Sequence, residues 1–432
     1  MLMKSTVALM ALTVAVSVWA RNPPCPGTTA GPTAIQAQPD RSPSISVEQA
    51  VALALKNDLR KDAALAAVTA ARSENRIASL RPPDEIRFQT EDFPRSESLS
   101  DTDPLEVTGS YARVWERGGK REARAAVAAS GVDIARAAAA VSSNQIAYDV
   151  RRLYAAALVA SARQAVVCME IEHVNAIKGA IDERVRRSAD PALATVRATT
   201  ELLTAQSELR LHRAQQNAFL EQLSNLTGQS GRFTLDRSAL AQTADVRAVD
   251  LSFSSWPDLL ALEARQREAR AISKLEQAGR KADITWHVGI RNFGASDDFG
   301  VTTGISIPFG MGARSDAKVA RARAKEQAIE AEKRVLLQQV VRETTALRQA
   351  SAQAVDMLAA LDEKLIPEAG AALKLAEEGY RRGALSFRDI LDAHEVLIAL
   401  HKLRVDHLET LLMNDAALQR LTGDVAAMEA QP

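Results

Sequence analysis

The sequence has 432 residues, and its 54 lysines and arginines balance its 54 aspartates and glutamates, so the formal net charge is zero. A chain without net charge has no global field to attract nucleic acid or an anionic surface, which argues against a polyanion-binding protein. Hydrophobic residues make up 47% of the chain but aromatic residues only 4%, so alanine, leucine and valine must fill the interior. This composition is typical of long, closely packed helices. Two cysteines exclude a disulfide framework and a thiolate zinc site.

The amino terminus has the order of segments found in a secretory signal. Lys4 is followed by an apolar run from Val7 to Val18, and the small residue Ala20 supplies a cleavage point. The run is too short for a comfortable transmembrane span, and no stop-transfer charges follow it. We therefore predict a signal peptide at residues 1–20, and we expect no later stretch that is apolar enough to cross a membrane as a helix.

The residues after the predicted cleavage point are interpreted as a flexible lead segment. Residues 21–45 are rich in Pro, Gly, Thr and Gln. Cys25 raises the question of lipidation, but Asn22, Pro23 and Pro24 before it are not the small and aliphatic residues of a lipidation signal. We therefore do not expect lipidation at Cys25.

The chain contains an internal repeat. The tripeptide Leu-Thr-Gly closes a long helical pattern at residues 226–228 and again at 421–423, which lie 195 residues apart. At the same offset, Arg186-Arg187 corresponds to Arg381-Arg382. Ordered matches at a nearly constant offset indicate a duplication. The predicted segments are a first repeat at residues 46–228, a connector at 229–252, a second repeat at 253–423 and a tail at 424–432.

Each repeat begins with a helical stretch, Val47 to Leu80 in the first and Trp256 to Lys281 in the second. Apolar and polar residues then alternate with a period of two, which predicts two β-hairpins, at residues 84–116 and 283–309. After each hairpin comes a glycine-bearing turn and a long helical pattern. A helix from about Gly119 to Arg186 would be roughly 100 Å long at 1.5 Å per residue, so it must pack along partner helices as in a coiled coil.

Four strands of about ten residues with one apolar face have the length needed to cross a bilayer. Four strands cannot close a membrane barrel, and an open edge in lipid leaves backbone groups unpaired, so several copies must pool their strands. Two copies would give eight strands and a barrel filled by side chains, whereas three would give twelve strands and an aqueous lumen. The alternative is a soluble protein in which two ordinary hairpins cap a helical bundle.

Three segments carry a family resemblance: Ser46 to Ala54 followed by Asn57, the turn Arg117-Gly118-Gly119-Lys120-Arg121, and the segment from Tyr380 to Ala393. With these the sequence resembles the outer-membrane efflux factors typified by the TolC channel. Through the glycine-lysine turn it looks closest to the outer-membrane components of heavy-metal and cation efflux systems of the RND type.

The resemblance implies a mainly α fold with a small β part. Long coiled-coil helices would form a trimeric periplasmic α-barrel, and four strands per chain would form a 12-stranded transmembrane β-barrel. It implies a homotrimer in the outer membrane of a Gram-negative bacterium, in contact with outer-membrane lipid and extending into the periplasm. The partners would be a periplasmic adaptor (membrane fusion) protein and an inner-membrane RND-type transporter. Such a protein is a passive exit duct and not an enzyme, with no cofactor and no nucleic-acid partner.

The resemblance also implies site residues. Asp389 and Asp392 would line the channel constriction, where carboxylates from three chains favour cations, and the expected cargo is divalent metal cations. The alternative for these two residues is a role as first-turn groups that complement the helix dipole. Tyr380 and Leu385 would occupy the positions of closed-state contacts, although Leu385 cannot make a charged link.

Two helix-turn tips would meet the adaptor. The residues of these tips are Gly383, Ala384, Leu385 and Ser386 in the second repeat, and Ser188, Ala189 and Asp190 in the first. The first tip departs from the family pattern, since Ser188 replaces a glycine and Ala194 stands where the second repeat has Asp389. We therefore expect only the second tip to carry a carboxylate gate. Drugs, other small organic molecules or a secreted polypeptide remain alternative cargoes, and a non-conducting periplasmic scaffold remains an alternative function.

Other candidate sites are set aside. His394 and His401 are seven residues apart, so they cannot chelate one ion, and we interpret them as exposed coiled-coil positions. Cys168 is interpreted as a small buried residue. Lys120 and Arg121 lack the spacing of a phosphate-binding loop, and the sequence has no cluster of serine, histidine and aspartate typical of a hydrolase.

Overall fold

The computed structural model describes residues 44–91, 105–229, 233–240, 256–293 and 298–422. The predicted signal peptide, Cys25, most of the lead segment, the hairpin loops apart from Asp298, and the tail lie outside the described residues. The helices and strands that follow are therefore those of the described part of the chain.

The first repeat begins with a capped helix. The Ser46 hydroxyl accepts a hydrogen bond from the backbone N–H of Gln49 at 3.3 Å, and the Gln49 side chain accepts one from the N–H of Ser46 at 3.1 Å. We expected one helix from Val47 to Leu80, but it breaks at Asp58, whose backbone is extended. The elements are β1 (Ser44–Ile45), α1 (Val47–Asn57), α2 (Leu59–Ser79), β2 (Glu85–Glu91), β3 (Glu106–Trp115), α3 (Lys120–Arg186) and α4 (Ala192–Thr227).

The connector contributes a strand, and the second repeat then follows the same order of elements. A π-helical turn at Leu361–Leu365 interrupts its long helix just before Pro367. Proline has no N–H to donate to the preceding turn, so the helix shifts its hydrogen-bond register there. The elements are β4 (Thr234–Leu235), α5 (Pro257–Ala278), β5 (Ile284–Phe293), β6 (Asp298–Ser306), α6 (Met311–Ala360), α7 (Ile366–Arg381) and α8 (Phe387–Thr422).

The chain divides into two compact units that do not coincide with the two repeats. The strand unit consists of Arg60–Ser142 and Ser254–Gln339, and it contains the four longer strands. The tip unit consists of Met1–Leu59, Ser143–Phe253 and Val340–Pro432, and it contains both helix turns that separate long helices. Each unit therefore combines segments from both repeats.

The strand unit holds one antiparallel sheet with the strand order β2-β3-β5-β6. The central pair, β3 with β5, joins the hairpins of the two repeats over ten residue pairs, from Glu106 opposite Phe293 to Trp115 opposite Ile284. One face of the sheet is apolar and bare, with Ile86, Phe88 and Val301 between 71% and 79% exposed. The alternation in the sequence thus becomes a sheet with one apolar and one polar face.

The turn between β3 and α3 has a structural function in the strand unit. Gly118 adopts a left-handed backbone (φ 79°), and a Cβ atom there would lie 3.0 Å from the carbonyl oxygen of Ala278. Lys120 forms an ion pair with Asp283 at 2.8 Å, and the same carboxylate accepts the N–H of Arg117 at 2.9 Å. The glycine-lysine motif therefore fixes the approach of α5 and β5 to this turn.

The tip unit has a core of aliphatic side chains. Near its chain start, Ile45, Val51 and Ile146 pack in one cluster, and the buried Tyr154 hydroxyl donates to the carbonyl of Ile45 at 2.8 Å. Strand β1 pairs in parallel with β4, so the lead segment ends in a strand that contacts the connector. Each fully buried aliphatic side chain contributes about 1.5–3 kcal/mol to stability.

One expectation about hydropathy is wrong. Helix α3 contains an 18-residue window with a mean hydropathy of 1.3 and at most two charged residues, which by length and composition alone could cross a membrane. Only 6% of this window is buried. Alanine supplies much of the hydropathy of α3, and alanine is equally common in closely packed helices, so the window does not distinguish the two environments.

Candidate functional site

The two tip turns share one backbone geometry. At the end of α3, the N–H groups of Ser188 and Ala189 donate to the carbonyls of Val185 and Arg184, each at 2.9 Å. At the end of α7, Gly383 and Ala384 donate to the carbonyls of Tyr380 and Gly379 at 3.0 and 2.9 Å. This is the Schellman pattern of a helix end, which requires a left-handed residue after the last turn.

The left-handed residue differs between the turns. Gly383 has a φ of 76°, which glycine adopts without steric cost, whereas Ser188 has a φ of 57° and is the only residue other than glycine with a positive φ among the described residues. The replacement of glycine noted in the sequence therefore leaves the turn intact. It adds backbone strain at Ser188.

A charged cluster links the two turns. The Arg184 side chain donates from Nε to Asp190 at 2.9 Å and from Nη1 to the backbone carbonyl of Tyr380 at 2.7 Å. Its guanidinium lies 4.5 Å from the centre of the Tyr380 ring. The Tyr380 hydroxyl donates to the carboxylate of Asp190. We call Arg184, Asp190 and Tyr380 the tip clasp.

The tip clasp is largely shielded from water. Tyr380 is fully buried, and the Asp190 side chain is only 9% exposed. Burial, followed by the hydrogen bond to the Asp190 carboxylate, raises the pKa of Tyr380 above its ordinary value. The hydroxyl therefore remains a proton donor at neutral pH. Since Asp190 faces inward within the tip clasp, little of it is exposed for contact with an adaptor.

Leu385 makes an apolar contact in the second turn. Its side chain lies over Gly379, where a Cβ atom would come within 2.6 Å of Leu385 Cδ1. At an offset of 195 residues, Gly379 corresponds to Arg184 and Leu385 to Asp190. The charged pair of the first turn is thus replaced by a packing contact in the second. Arg184 was absent from the sequence-based site, because its counterpart at this offset, Gly379, was not a predicted site residue either.

Asp389 and Asp392 both lie on the exposed face of α8, while Ile390 and Leu391 between them are buried. The Asp389 carboxylate accepts hydrogen bonds from the N–H and the hydroxyl of Ser386, both at 2.7 Å. These bonds lower the pKa of Asp389, so it stays ionised. Asp389 therefore caps the start of α8, and its charge remains accessible to solvent.

The remaining predicted tip residues are exposed, as a contact surface requires. Ser188 and Ala189 are exposed in the first turn, and Gly383, Ala384 and Ser386 in the second. Ala194, the counterpart of Asp389, is instead fully buried against Tyr380 and Ile390 in the tip core. A carboxylate at position 194 would be desolvated, which explains why the two repeats differ here.

The interpretation of His394 as an exposed residue is wrong. It is 2% exposed, and its ring contacts that of His173 on α3 edge-on, with the ring centres 5.6 Å apart. Burial, with smaller effects from His173 and Lys402, lowers the pKa of His394 to about 4. His401 is also partly buried. Within the described ranges, no group of three or more His, Cys, Asp or Glu side chains has a geometry that would hold a metal ion.

The chain has the fold of outer-membrane channel proteins. Neither a protein-family model nor a curated protein sequence matches it. The outer membrane protein VceC of Vibrio cholerae aligns with a TM-score of 0.71 at 19% identity, over 87% of this chain and 96% of that one. CusC, whose structures describe transmembrane channel formation, aligns with a TM-score of 0.71 at 16% identity, over 93% and 99%. The open-state MtrE outer membrane channel of Neisseria gonorrhoeae gives 0.68 at 14% identity, over 87% and 88%.

Proposed function

We propose that this protein is an outer-membrane channel of a Gram-negative bacterium and the passive exit duct of a tripartite efflux pump. In this proposal three copies form a 12-stranded β-barrel in the outer membrane and an α-barrel in the periplasm. The energy comes from an inner-membrane RND-type transporter, and a periplasmic adaptor joins the two at the tip turns. The fold shared with solved outer-membrane channels supports the proposal.

The bare apolar face of the four-stranded sheet is the observation that carries the proposal. Strands β2 and β6 form the edges of this sheet within the described part of the chain. In lipid, an unpaired edge costs several kcal/mol for each unsatisfied backbone group, so the edges must pair with those of other copies. Three copies supply twelve strands. Three is therefore the smallest number of copies whose barrel leaves an aqueous lumen.

We propose divalent metal cations as the cargo. Asp389 and Asp392 support this choice, because both carboxylates are exposed on one face of α8 close to the tip turn. In a trimer they would bring six negative charges to the channel entrance, which favours cations over anions. Drugs, other small organic molecules or a secreted polypeptide are the alternative cargoes, since the pump and not the duct does most of the selecting.

The first experiment measures the native mass of the protein extracted from the outer-membrane fraction in detergent, followed by its conductance in planar bilayers. We expect a mass of three chains and discrete conductance steps. A soluble monomer in the periplasmic extract would contradict the channel. It would favour the non-conducting helical scaffold instead.

A second experiment addresses the cargo. A deletion strain is compared with its parent for growth in zinc, copper and nickel salts and in a panel of organic antibiotics. Sensitivity to the metals alone supports cation export. Sensitivity to the antibiotics alone contradicts cation cargo and leaves the duct in place.

A further inference from the structure

A patch of arginine and aromatic side chains lies on the apolar face of the sheet, at the end where the strands connect to the helices. We call this the helix end of the sheet and the opposite end the hairpin end. In β3, Tyr111, Arg113 and Trp115 share that face, because alternate residues of a strand point to the same side. In β5, Trp286 lies opposite Arg113 on the same face. Since β3 and β5 are the central strands, pairing the sheet edges with other copies leaves this region uncovered.

The side chains of this face follow a fixed order along the strands. Toward the hairpin end they are aliphatic, with Val288 41% and Ile290 60% exposed. Toward the helix end comes Tyr111, whose ring contacts that of Trp286 with the centres 5.7 Å apart, then Arg113 directly opposite Trp286, and last Trp115 opposite Ile284. The change from aliphatic side chains to a mixture of aromatic and cationic ones matches the change from the hydrocarbon core of a leaflet to its headgroup region.

The dimensions agree with this order. Strands β3 and β5 each have ten residues, which corresponds to roughly 33 Å of strand. At a tilt of about 40° these strands span about 25 Å, the height of the apolar band of an outer-membrane barrel. The helix ends of these strands therefore lie at the level of the headgroups.

The charge of the patch is positive. Arg81 and Arg113 both contact the single carboxylate of Asp84, at 3.1 and 3.6 Å. Their side chains are 52% and 44% exposed, so each guanidinium keeps donors directed to the surroundings. Two cations against one anion leave a net charge of +1 beside the aromatic pair. A guanidinium is well suited to bind a phosphate through paired hydrogen bonds.

We propose that the girdle patch, formed by Arg81, Asp84, Tyr111, Arg113 and Trp286, binds the phosphate of a phospholipid headgroup. The inference rests on the proposed function, because the sheet must lie in a bilayer. A lipid is the occupant that matches both the order of side chains and the excess positive charge. Asp84 holds the two arginines at the correct level and limits their charge.

The test uses the full-length protein in detergent and counts lipid adducts by native mass spectrometry. Phosphatidylglycerol, phosphatidylcholine and inorganic phosphate are titrated separately. In the double variant Arg81→Gln/Arg113→Gln, we expect about fivefold weaker binding of phosphatidylglycerol for each arginine removed. In Asp84→Asn, which frees both arginines, we expect tighter binding than in the wild type.

Arg87→Gln is the matched control. Arg87 lies on the polar face of the same sheet and pairs with Glu85 at 2.9 Å, so its loss should not change lipid binding. Equal affinity for phosphatidylglycerol in the double variant and in Arg87→Gln overturns the inference. Inorganic phosphate adducts as abundant as the lipid adducts also overturn it, because they would indicate a general anion site.

The outcomes separate this inference from the proposed function. If the protein conducts in planar bilayers but its lipid binding is unchanged in the variants at Arg81, Asp84 and Arg113, only the girdle-patch inference is contradicted. A protein that never inserts into bilayers contradicts the channel itself. If the double variant fails to fold, Asp84→Asn still tests the inference. Unchanged binding of phosphatidylglycerol in that variant contradicts it.

Discussion

At the scale of single residues, the two tip turns meet one backbone requirement with different side chains. Both need a left-handed residue, supplied by Ser188 in one and Gly383 in the other. The first turn adds the charged pair of Arg184 and Asp190. Both residues of this pair hydrogen-bond to Tyr380 of the second repeat. The tip clasp is therefore a polar contact between the two repeats at this end of the tip unit, beside the apolar contacts of Ala194 with Tyr380 and Ile390.

Removing the Tyr380 hydroxyl should weaken the tip clasp. In Tyr380→Phe the buried Asp190 loses one hydrogen bond and keeps its bond to Arg184. We expect the free energy of unfolding to fall by about 1–3 kcal/mol, measured by urea denaturation. Tyr148→Phe, at a partly exposed tyrosine of α3, serves as the control. A fall of the same size in both variants would contradict a special role for the hydroxyl.

The strain at Ser188 gives a second prediction. Ser188→Gly relieves a left-handed serine, so we expect a gain of about 0.5–1 kcal/mol in the free energy of unfolding. Gly383→Ala imposes the opposite change on the other turn and should cost about 1–2 kcal/mol. Thermal unfolding of both variants is the measurement. A loss of stability in Ser188→Gly would show that the serine side chain contributes more than its backbone costs.

At the scale of elements, α8 combines a buried and an exposed face near the tip turn. Ile390, His394 and Leu397 are buried, whereas Asp389 and Asp392 are exposed. His394 is the polar member of the buried face, and it packs against His173 of α3. A neutral imidazole fits this position, but a charged one would be desolvated beside the ammonium of Lys402.

The packing of α8 should therefore depend on pH. Folded His394 takes up a proton only near pH 4, but in the unfolded chain it does so near 6.5, so the unfolded state binds more protons between these values. We expect His394 to lower the free energy of unfolding by up to about 3 kcal/mol as the pH falls from 6.5 to 4. Urea denaturation across this range provides the measurement.

The substitution that tests this pH dependence is His394→Leu, which should reduce the slope without abolishing it, because burial also lowers the pKa of His401 to about 4. His212→Gln is the control, because His212 lies on α4 and hydrogen-bonds to Gln215 at 3.0 Å. That variant should keep the slope of the wild type. If His394→Leu and the wild type lose stability in parallel between pH 6.5 and 4, other groups account for the acid sensitivity.

At the scale of the whole molecule, the duplication in the sequence becomes pairing within each compact unit. In the strand unit, β3 of the first repeat pairs with β5 of the second along their full lengths. In the tip unit, Tyr380 of the second repeat binds Asp190 of the first. Neither repeat forms a unit alone, because in both of these contacts one partner belongs to the first repeat and the other to the second. The chain therefore folds as two mixed units.

The proposed trimer makes a prediction at the same scale. Asp389→Asn with Asp392→Asn removes six charges from the proposed entrance while an amide oxygen can still accept the Ser386 bonds. We expect weaker preference for potassium over chloride, measured as the reversal potential in a salt gradient, and weaker block by trivalent cations. Glu74→Gln, at an exposed position of α2, is the control. Unchanged selectivity in the double variant would remove these carboxylates from the constriction.

Local patterns were enough to place the strands and most of the helices. A period of two along Ile284 to Ile290 corresponds to one face of β5, and the absence of proline between Pro104 and Pro191 allows the 67 residues of α3. These patterns depend on neighbours within a few residues, which the sequence lists directly. The break at Asp58 was missed, although Asp is a weak helix former and a preferred helix-boundary residue, so the sequence did carry a signal for it.

What the sequence by itself determined is the order of elements, the duplication and the amphipathic character of each strand, because all three are properties of residues close in the chain or at one fixed offset. Only the tertiary structure decided which side chains meet. It buried His394 against His173, turned Asp190 from the surface into the tip clasp with Arg184 and Tyr380, and left Asp389 exposed while burying Ala194. Burial depends on which helix face finds a partner, and for His394 that partner, His173, lies 221 residues away in the chain.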